Sequence, residues 1–116
     1  MRTRRPGCSE RLLVRVSEAD AEGLRRLCAL ACASPSDVLA AAVERLLAED
    51  PGLLAEARSM PRTDRVQAFA FRPGELERLR RAAASVGLRS PGRVIRLALR
   101  LEFERRQPPN PAPTHG

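Results

Sequence analysis

The sequence predicts a mainly α-helical protein with one short two-stranded antiparallel ribbon, built from a strand-helix-helix unit that occurs twice. Two short apolar segments each precede two stretches of helical periodicity. A Ser-Pro pair opens the second helix of both halves, and the halves align when the sequence is shifted by 55 or 56 residues. Each half has only about 45 residues, near the size at which a separate core fails, so we expect the halves to pack on each other or on a partner chain.

Both predicted strands alternate between an inward apolar face and an outward face. The inward residues are Leu12, Val14 and Val16 in the first strand, 11–16, and Gln67, Phe69 and Phe71 in the second, 66–71. The outward residues are Arg11, Leu13 and Arg15, followed by Val66, Ala68 and Ala70. Because both units lie in one chain, we expect the two strands to pair antiparallel within the same molecule.

Capping signals set the bounds of four predicted helices. The starts are marked by Ser17, Ser34-Pro35, Pro73 and Ser90-Pro91, and the first three helices are expected to end near Cys32 or Ala33, at Pro51-Gly52 and at Gly87. Serine oxygens bond free N–H groups at a helix start, proline fits the first helical position, and glycine adopts the left-handed conformation that ends a helix.

These elements divide the chain into five regions. They are a flexible basic arm at 1–10, a first unit at 11–50, a linker at 51–64 that we expect to hold a helical turn, a second unit at 65–104, and a disordered proline-rich tail at 105–116. No apolar run reaches the ~18 residues of a membrane span. The odd number of cysteines argues against a disulfide framework, so we expect a cytoplasmic location with no membrane partner.

The charge is large, positive and unevenly distributed. The net charge is +7, and all 21 basic residues are arginine. Residues 1–16 carry a net charge of +4, residues 17–60 of −4 and residues 61–116 of +7. Arginine suits phosphates and guanine edges, so this distribution favours a nucleic-acid partner.

The sequence contains no pattern that points to an enzyme, a cofactor or a metal. Cys28 and Cys32 are one helical turn apart and are most simply explained as core residues, because Cys8 and His115 do not complete a zinc site at normal spacing. The carboxylates of Glu75, Glu77, Glu102 and Glu104 fall on predicted polar helix faces. We therefore predict no catalytic residue, no metal site and no bound cofactor.

Two segments carry a resemblance to a known family. Residues 12–47, LLVRVSEADAEGLRRLCALACASPSDVLAAAVERLL, and residues 66–100, VQAFAFRPGELERLRRAAASVGLRSPGRVIRLALR, each resemble the ribbon-helix-helix (MetJ/Arc type) family of DNA-binding proteins. Family members are normally homodimers of one unit; two units in one chain resemble the fused accessory proteins of T-DNA transfer. The resemblance implies a tandem ribbon-helix-helix pseudo-dimer that is monomeric, and it leaves self-association on DNA open.

The resemblance also implies which residues meet double-stranded DNA, with the ribbon in the major groove and helix N-termini on phosphates. The implied base-reading residues are Arg11, Leu13, Arg15, Ala68 and Ala70. The implied phosphate-binding residues are Ser34, Ser36, Arg89, Ser90, Gly92 and Arg93. The basic arm adds Arg2, Arg4 and Arg5.

The two copies depart from the family's pattern in opposite ways. The second strand offers no polar outward residue. In the first unit, the start of the second helix carries Asp37, which would repel a phosphate unless it is turned away. We therefore expect each copy to keep part of the DNA-contacting residues. Simpler explanations stay open: Arg11 and Arg15 as charges that protect an edge strand, the arm as a tail without function, and the last helix's Arg93, Arg96 and Arg100 as a solvated stripe.

Three functions follow as hypotheses. The first is a nucleoid-associated DNA-binding protein, acting in transcriptional regulation as a repressor or in plasmid transfer or partition as an accessory factor. The second is an antitoxin-like module whose main partner is a protein. The third is a helical oligomerisation module in which the strands have been misidentified.

Overall fold

Four helices and one two-stranded sheet make up the fold in the computed structural model, which describes residues 7–106. The elements are β1 (Glu10–Val16), α1 (Glu18–Ala31), α2 (Pro35–Glu49), a 3-10 helix (Pro51–Ser59), β2 (Arg65–Phe71), α3 (Glu75–Ser85) and α4 (Gly92–Arg106). The order strand-helix-helix therefore occurs twice, as predicted, and the mainly helical fold class is confirmed. The arrangement is compatible with two ribbon-helix-helix units. The arm residues 1–6 and the tail residues 107–116 lie outside the described part of the chain.

The two strands pair antiparallel with each other, within one chain. The Cα partners are Glu10↔Phe71, Arg11↔Ala70, Leu12↔Phe69, Leu13↔Ala68, Val14↔Gln67, Arg15↔Val66 and Val16↔Arg65. This register pairs the inward residues of one strand with those of the other, so one face of the ribbon is apolar and buried while the other is exposed. The predicted intramolecular pairing and the predicted faces are both confirmed.

The core lies under the inward face of the ribbon. Phe69 and Phe71 are 1% and 4% exposed, and Val14 and Val16 are each 2% exposed. Beneath them lie the apolar faces of the second helices, where Leu39 of α2 and Ile95 of α4 are almost completely buried. The core residues come from both units, which form one continuous cluster. Neither half holds a separate core, as their length predicts.

Capping bonds and left-handed residues begin and end the helices close to the predicted positions. Ser17 and Asp20 form a capping box at the start of α1, and Cys32 ends it in the left-handed region at φ 52°. Gly87, at φ +81°, follows α3. Within residues 7–106, no single helix has the length and apolar composition needed to cross a membrane; only α1 and α2 together would meet both criteria, and they are bent by 95° at their junction.

Several details differ from the sequence prediction. The first strand begins at Glu10, inside the predicted arm, and α4 continues to Arg106, past the predicted end of the second unit. The linker is more than a tether, because its 3-10 helix buries Leu54 and Ala57 in the core. The core prediction was wrong for Cys32, which lies exposed at the end of α1, although Cys28 packs half-buried against the core.

A buried ion pair joins the first unit to the second. Nε of Arg96 in α4 lies 2.8 Å from Oδ2 of Asp20 in α1, and the two side chains are 3% and 4% exposed. Nη1 of Arg96 also donates to the carbonyl of Pro61 in the linker. The predicted solvated arginine stripe was therefore wrong for Arg96, because the packing of α1 against α4 encloses its guanidinium.

Glu102 is the second correction to the predicted polar faces. Its side chain is 4% exposed and lies 3.1 Å from Nε of Arg106 and 3.4 Å from Nε of Arg45 in α2. Because α4 packs against neighbouring elements on two sides, a charged side chain on either of these sides is enclosed. Nε of Arg105 lies 3.9 Å from the same carboxylate, so three arginines surround this buried charge.

The environment of Asp20 favours its charged form. Burial alone would raise the pKa of the carboxyl group, but the backbone N–H of Ser17 and the guanidinium of Arg96 bond the ionised form, and the pKa lies below its ordinary value. The carboxylate thus closes the N-terminal cap of α1 and holds the second unit through the same atom, Oδ2.

Replacement of Asp20 by asparagine should destabilise the protein by about 3–5 kcal/mol, because it leaves the buried guanidinium of Arg96 without its anion. Glu22→Gln is the matched control, since Glu22 lies on the same helix but pairs with Arg25 and Arg26 at the surface. We expect the control to cost about 0–1 kcal/mol. Chemical denaturation measures both free energies of unfolding, and equal effects would contradict the importance of the buried pair.

The same pair predicts a loss of stability in acid. Because the pKa of Asp20 is lower in the folded chain than its ordinary value of 3.8, its contribution is fully present above pH 3.8 and disappears as the pH falls through the folded value. An NMR titration of the Asp20 carboxyl carbon, recorded beside the free energy of unfolding, should give a midpoint below 3.8. A midpoint above 3.8 would show that burial outweighs the bonds.

Candidate nucleic-acid interface

The outward face of the ribbon is a row of three cross-strand pairs. Arg11 lies opposite Ala70, Leu13 opposite Ala68 and Arg15 opposite Val66. Leu13 is 68% exposed and Val66 55% exposed, and both arginines are exposed. The two alanines are half-buried. The five base-reading residues suggested by the family resemblance therefore lie together on one surface.

Leu13 and Ala68 occupy the centre of this surface. They pair with each other, and they are also equivalent under the 55-residue shift between the units. A local two-fold axis therefore passes between them. The same shift makes Val66 the counterpart of Arg11 and Ala70 the counterpart of Arg15. Two apolar residues thus stand where exact symmetry would place two more arginines.

The arginines of the outward face have no carboxylate partner in the described part of the chain. Most other described arginines have one, including Arg65 with Glu18, Arg78 with Glu44 and Arg105 with Asp50. Those without an ion pair to residues 7–106 are Arg11, Arg15, Arg58, Arg62, Arg80, Arg89 and Arg93. Four of these seven belong to the predicted DNA-contacting set, so positive charge at those four positions is not neutralised internally.

The N-terminus of α4 lies beside β1. A Cβ built on Gly92 would lie 3.7 Å from Cγ1 of Val14. The first backbone bond of the helix runs from Ile95 N to Pro91 O, and no acceptor among residues 7–106 bonds the N–H groups of Gly92, Arg93 or Val94. These free donors, together with the helix dipole, attract an anion.

Ser90 and Arg89 precede this helix start. α4 begins at Gly92 rather than at Pro91, one residue later than the alignment with α2 predicts, and the hydroxyl of Ser90 makes no hydrogen bond to the described residues. Ser90 is exposed, as is Arg89. Predicted as a cap, Ser90 instead has a hydroxyl that is unbonded to residues 7–106, next to the N–H groups that begin α4.

The N-terminus of α2 lies beside β2, and its side chains are already engaged. The hydroxyl of Ser34 accepts from Asp37 N at 3.2 Å and donates to Oδ2 of Asp37 at 3.0 Å. The hydroxyl of Ser36 accepts from Ala70 N at 2.7 Å, which satisfies an edge donor of β2. Ser34 and Ser36 can therefore bind a phosphate only by giving up these bonds.

Because the two units are intertwined, the helix start that lies beside each strand belongs to the other unit. The arginines of the first unit's strand and the free helix start of the second unit lie on one flank, because α4 packs against β1. The other flank joins the apolar strand β2 to the occupied helix start of α2. Sequence suggested that the two parts of the apparatus belonged to different copies; the fold places them side by side.

Other predicted features lie elsewhere. Arg2, Arg4 and Arg5 of the arm fall outside residues 7–106. The sequence did not indicate an open groove between α1, the turn before α2 and the start of β2, whose lining includes Leu24, Cys28 and Gln67. Within the described residues no group of His, Cys, Asp or Glu is arranged to hold a metal ion.

Comparison with known proteins adds no relative to this description. No protein-family model, curated protein or solved structure matches the chain significantly.

The unequal helix starts predict unequal effects of two equivalent serine substitutions. Ser34→Ala should destabilise the protein by about 0.5–2 kcal/mol, because it removes the cap of α2. Ser90→Ala should change the free energy of unfolding by less than about 0.5 kcal/mol, since its hydroxyl makes no bond to the described residues. Chemical denaturation of both variants tests this, and a larger loss in Ser90→Ala would mean that Ser90 caps α4.

Proposed function

We propose that the chain is a non-enzymatic double-stranded DNA-binding protein that inserts its ribbon into the major groove, acting as a repressor or as an accessory factor in DNA transfer or partition. The observation that carries the proposal is the outward face of the ribbon, where Arg11 and Arg15 are exposed and lack a carboxylate partner among residues 7–106. Protection of an edge strand does not require both arginines of β1 to lie on the exposed face while β2 presents only apolar residues there.

The size of the surface fits the major groove. Paired strands lie ~4.8 Å apart, and the groove is ~12 Å wide, so a two-stranded ribbon enters with its side chains directed at the base edges. Arg11 and Arg15 are four residues apart, about 13 Å along the strand, a distance that covers about four base pairs at ~3.4 Å each. Each guanidinium can bond O6 and N7 of a guanine.

The flanking helix start supplies a sequence-independent contact. With the ribbon in the groove, the α4 N-terminus beside β1 faces the sugar-phosphate backbone, where Arg89, Arg93 and the free N–H groups favour a phosphate. Leu13 in the centre offers apolar contact to a thymine methyl group. This division of roles separates residues that select sequence from residues that add affinity.

The alternative is an antitoxin-like module that mainly binds a protein. The observation that favours it is the open groove between α1 and β2, together with Leu30, which is 65% exposed on α1. Both features lie away from the outward face of the ribbon. A protein partner at that groove is compatible with DNA at the ribbon, as in proteins that combine the two roles.

Binding to random duplex DNA at increasing salt, followed by selection of bound sequences, tests the proposal. If about 4–6 phosphates are neutralised, log affinity should fall against log salt with a slope of about −4 to −5. Arg93→Ala should weaken all duplexes alike and make the slope shallower by about one. Arg15→Ala should lower discrimination at particular base pairs by about 1–3 kcal/mol.

Arg80→Ala is the matched control. Arg80 is exposed on α3 and also has no ion pair to residues 7–106, but it lies on neither the ribbon nor a second-helix start. Its loss should leave the selected sequence unchanged. An affinity that does not change with salt, or an Arg15→Ala variant that keeps the full sequence preference while folded, would overturn the proposal.

A further inference from the structure

We propose that the chain reads and contacts mainly one strand of its duplex, so that its binding site is not palindromic. This inference rests on the proposed function and adds the class of DNA site. It follows from where the uncompensated charge lies: both arginines of the outward face, Arg11 and Arg15, belong to β1.

A symmetric ribbon reads a palindrome because every reader has an equivalent across the two-fold axis. Here the axis passes between Leu13 and Ala68, and the counterparts of Arg11 and Arg15 are Val66 and Ala70. Valine and alanine have no hydrogen-bond donor for a guanine edge. A guanine bound by β1 therefore cannot be repeated by β2 on the opposite DNA strand.

Position within the groove links each ribbon strand to one DNA strand. The two ribbon strands lie side by side in the groove, so each is nearer to the backbone on its own flank. The O6 and N7 atoms of a guanine lie on that base's side of the pair. The forked guanidinium groups of Arg11 and Arg15 thus reach most directly for guanines on the DNA strand next to β1.

The phosphate contacts are polarised in the same direction. The flank of β1 also holds Arg89, Arg93 and the unbonded N–H groups that begin α4. The flank of β2 holds Asp37, and the hydroxyl of Ser36 is bonded to Ala70 N. One DNA strand meets four arginines without an ion-pair partner among residues 7–106, whereas the other meets side chains that are apolar or already hydrogen-bonded.

The predicted site has a recognisable form. Two guanines about four base pairs apart should lie on the same strand, matching the four-residue spacing of Arg11 and Arg15. The opposite strand should contribute thymine methyl groups that touch Val66 and Ala68 of β2, since apolar side chains prefer that edge. Inverting the site in a larger duplex should invert the bound molecule with it.

The test uses the full chain and a duplex obtained by selection, modified on one strand at a time. Replacing guanine by 7-deazaguanine removes the N7 acceptor, and methylphosphonate linkages remove phosphate charge. On one strand these changes should weaken binding about tenfold or more; on the other they should change it less than about twofold. Arg15→Ala should abolish the effect of 7-deazaguanine at one guanine only, while Arg80→Ala should preserve the whole pattern.

The outcomes separate the inference from the proposed function. Equal sensitivity of both strands, a palindromic selected site or a selected site without guanine would overturn the one-strand inference and leave DNA binding in place. Failure to bind any duplex would overturn both. Because the side chain of Arg15 is exposed and makes no hydrogen bond or ion pair to residues 7–106, its variant should fold, which circular dichroism verifies.

Discussion

The pairing of Leu12–Val16 with residues 65–69 is the constraint on which the rest of the molecule depends. A two-stranded ribbon alone is marginally stable in water, and this one persists because its inward face covers the helices of both units. Phe69 and Phe71 are almost fully buried there. A slip of one residue would expose both rings and bury Arg15, so packing fixes the register. The exposed face is consequently as well defined as the core.

The same packing joins the two units into one fold and gives their equivalent residues different surroundings. α4 lies against β1, and Ser36 at the start of α2 bonds β2. Each strand therefore contacts the second helix of the other unit. The buried pair of Asp20 and Arg96 adds a directional link between α1 and α4. Its counterparts under the internal alignment are Glu75 and Ala40, which cannot form the same pair. Fusion in one chain permits such asymmetry, because each copy is free to diverge where a homodimer must repeat every residue.

Sequence predicted what depends on short-range patterns and failed where a distant element decided the outcome. Alternation and capping residues gave the strands, the four helices and the outward face, including Leu13. The burial of Arg96 and Glu102 depends on which helix packs over them, and helical periodicity carries no such information. The placement of the start of α4 beside β1 likewise required the register of β1 with β2 and the position of Gly92. The hydrogen bond from Ala70 N to the hydroxyl of Ser36 could not be predicted from sequence for the same reason.

We propose that the outward face of the ribbon and the start of α4 form the DNA-binding surface. Backbone amide NMR spectra recorded during titration with a selected duplex test it most directly, because they report every contacted residue at once. We predict that the largest chemical-shift changes occur at Arg11, Leu13, Arg15 and Gly92–Val94, with small changes along α3. Changes concentrated at Leu24, Cys28 and the rest of the α1 groove, with the ribbon unaffected, would contradict the account.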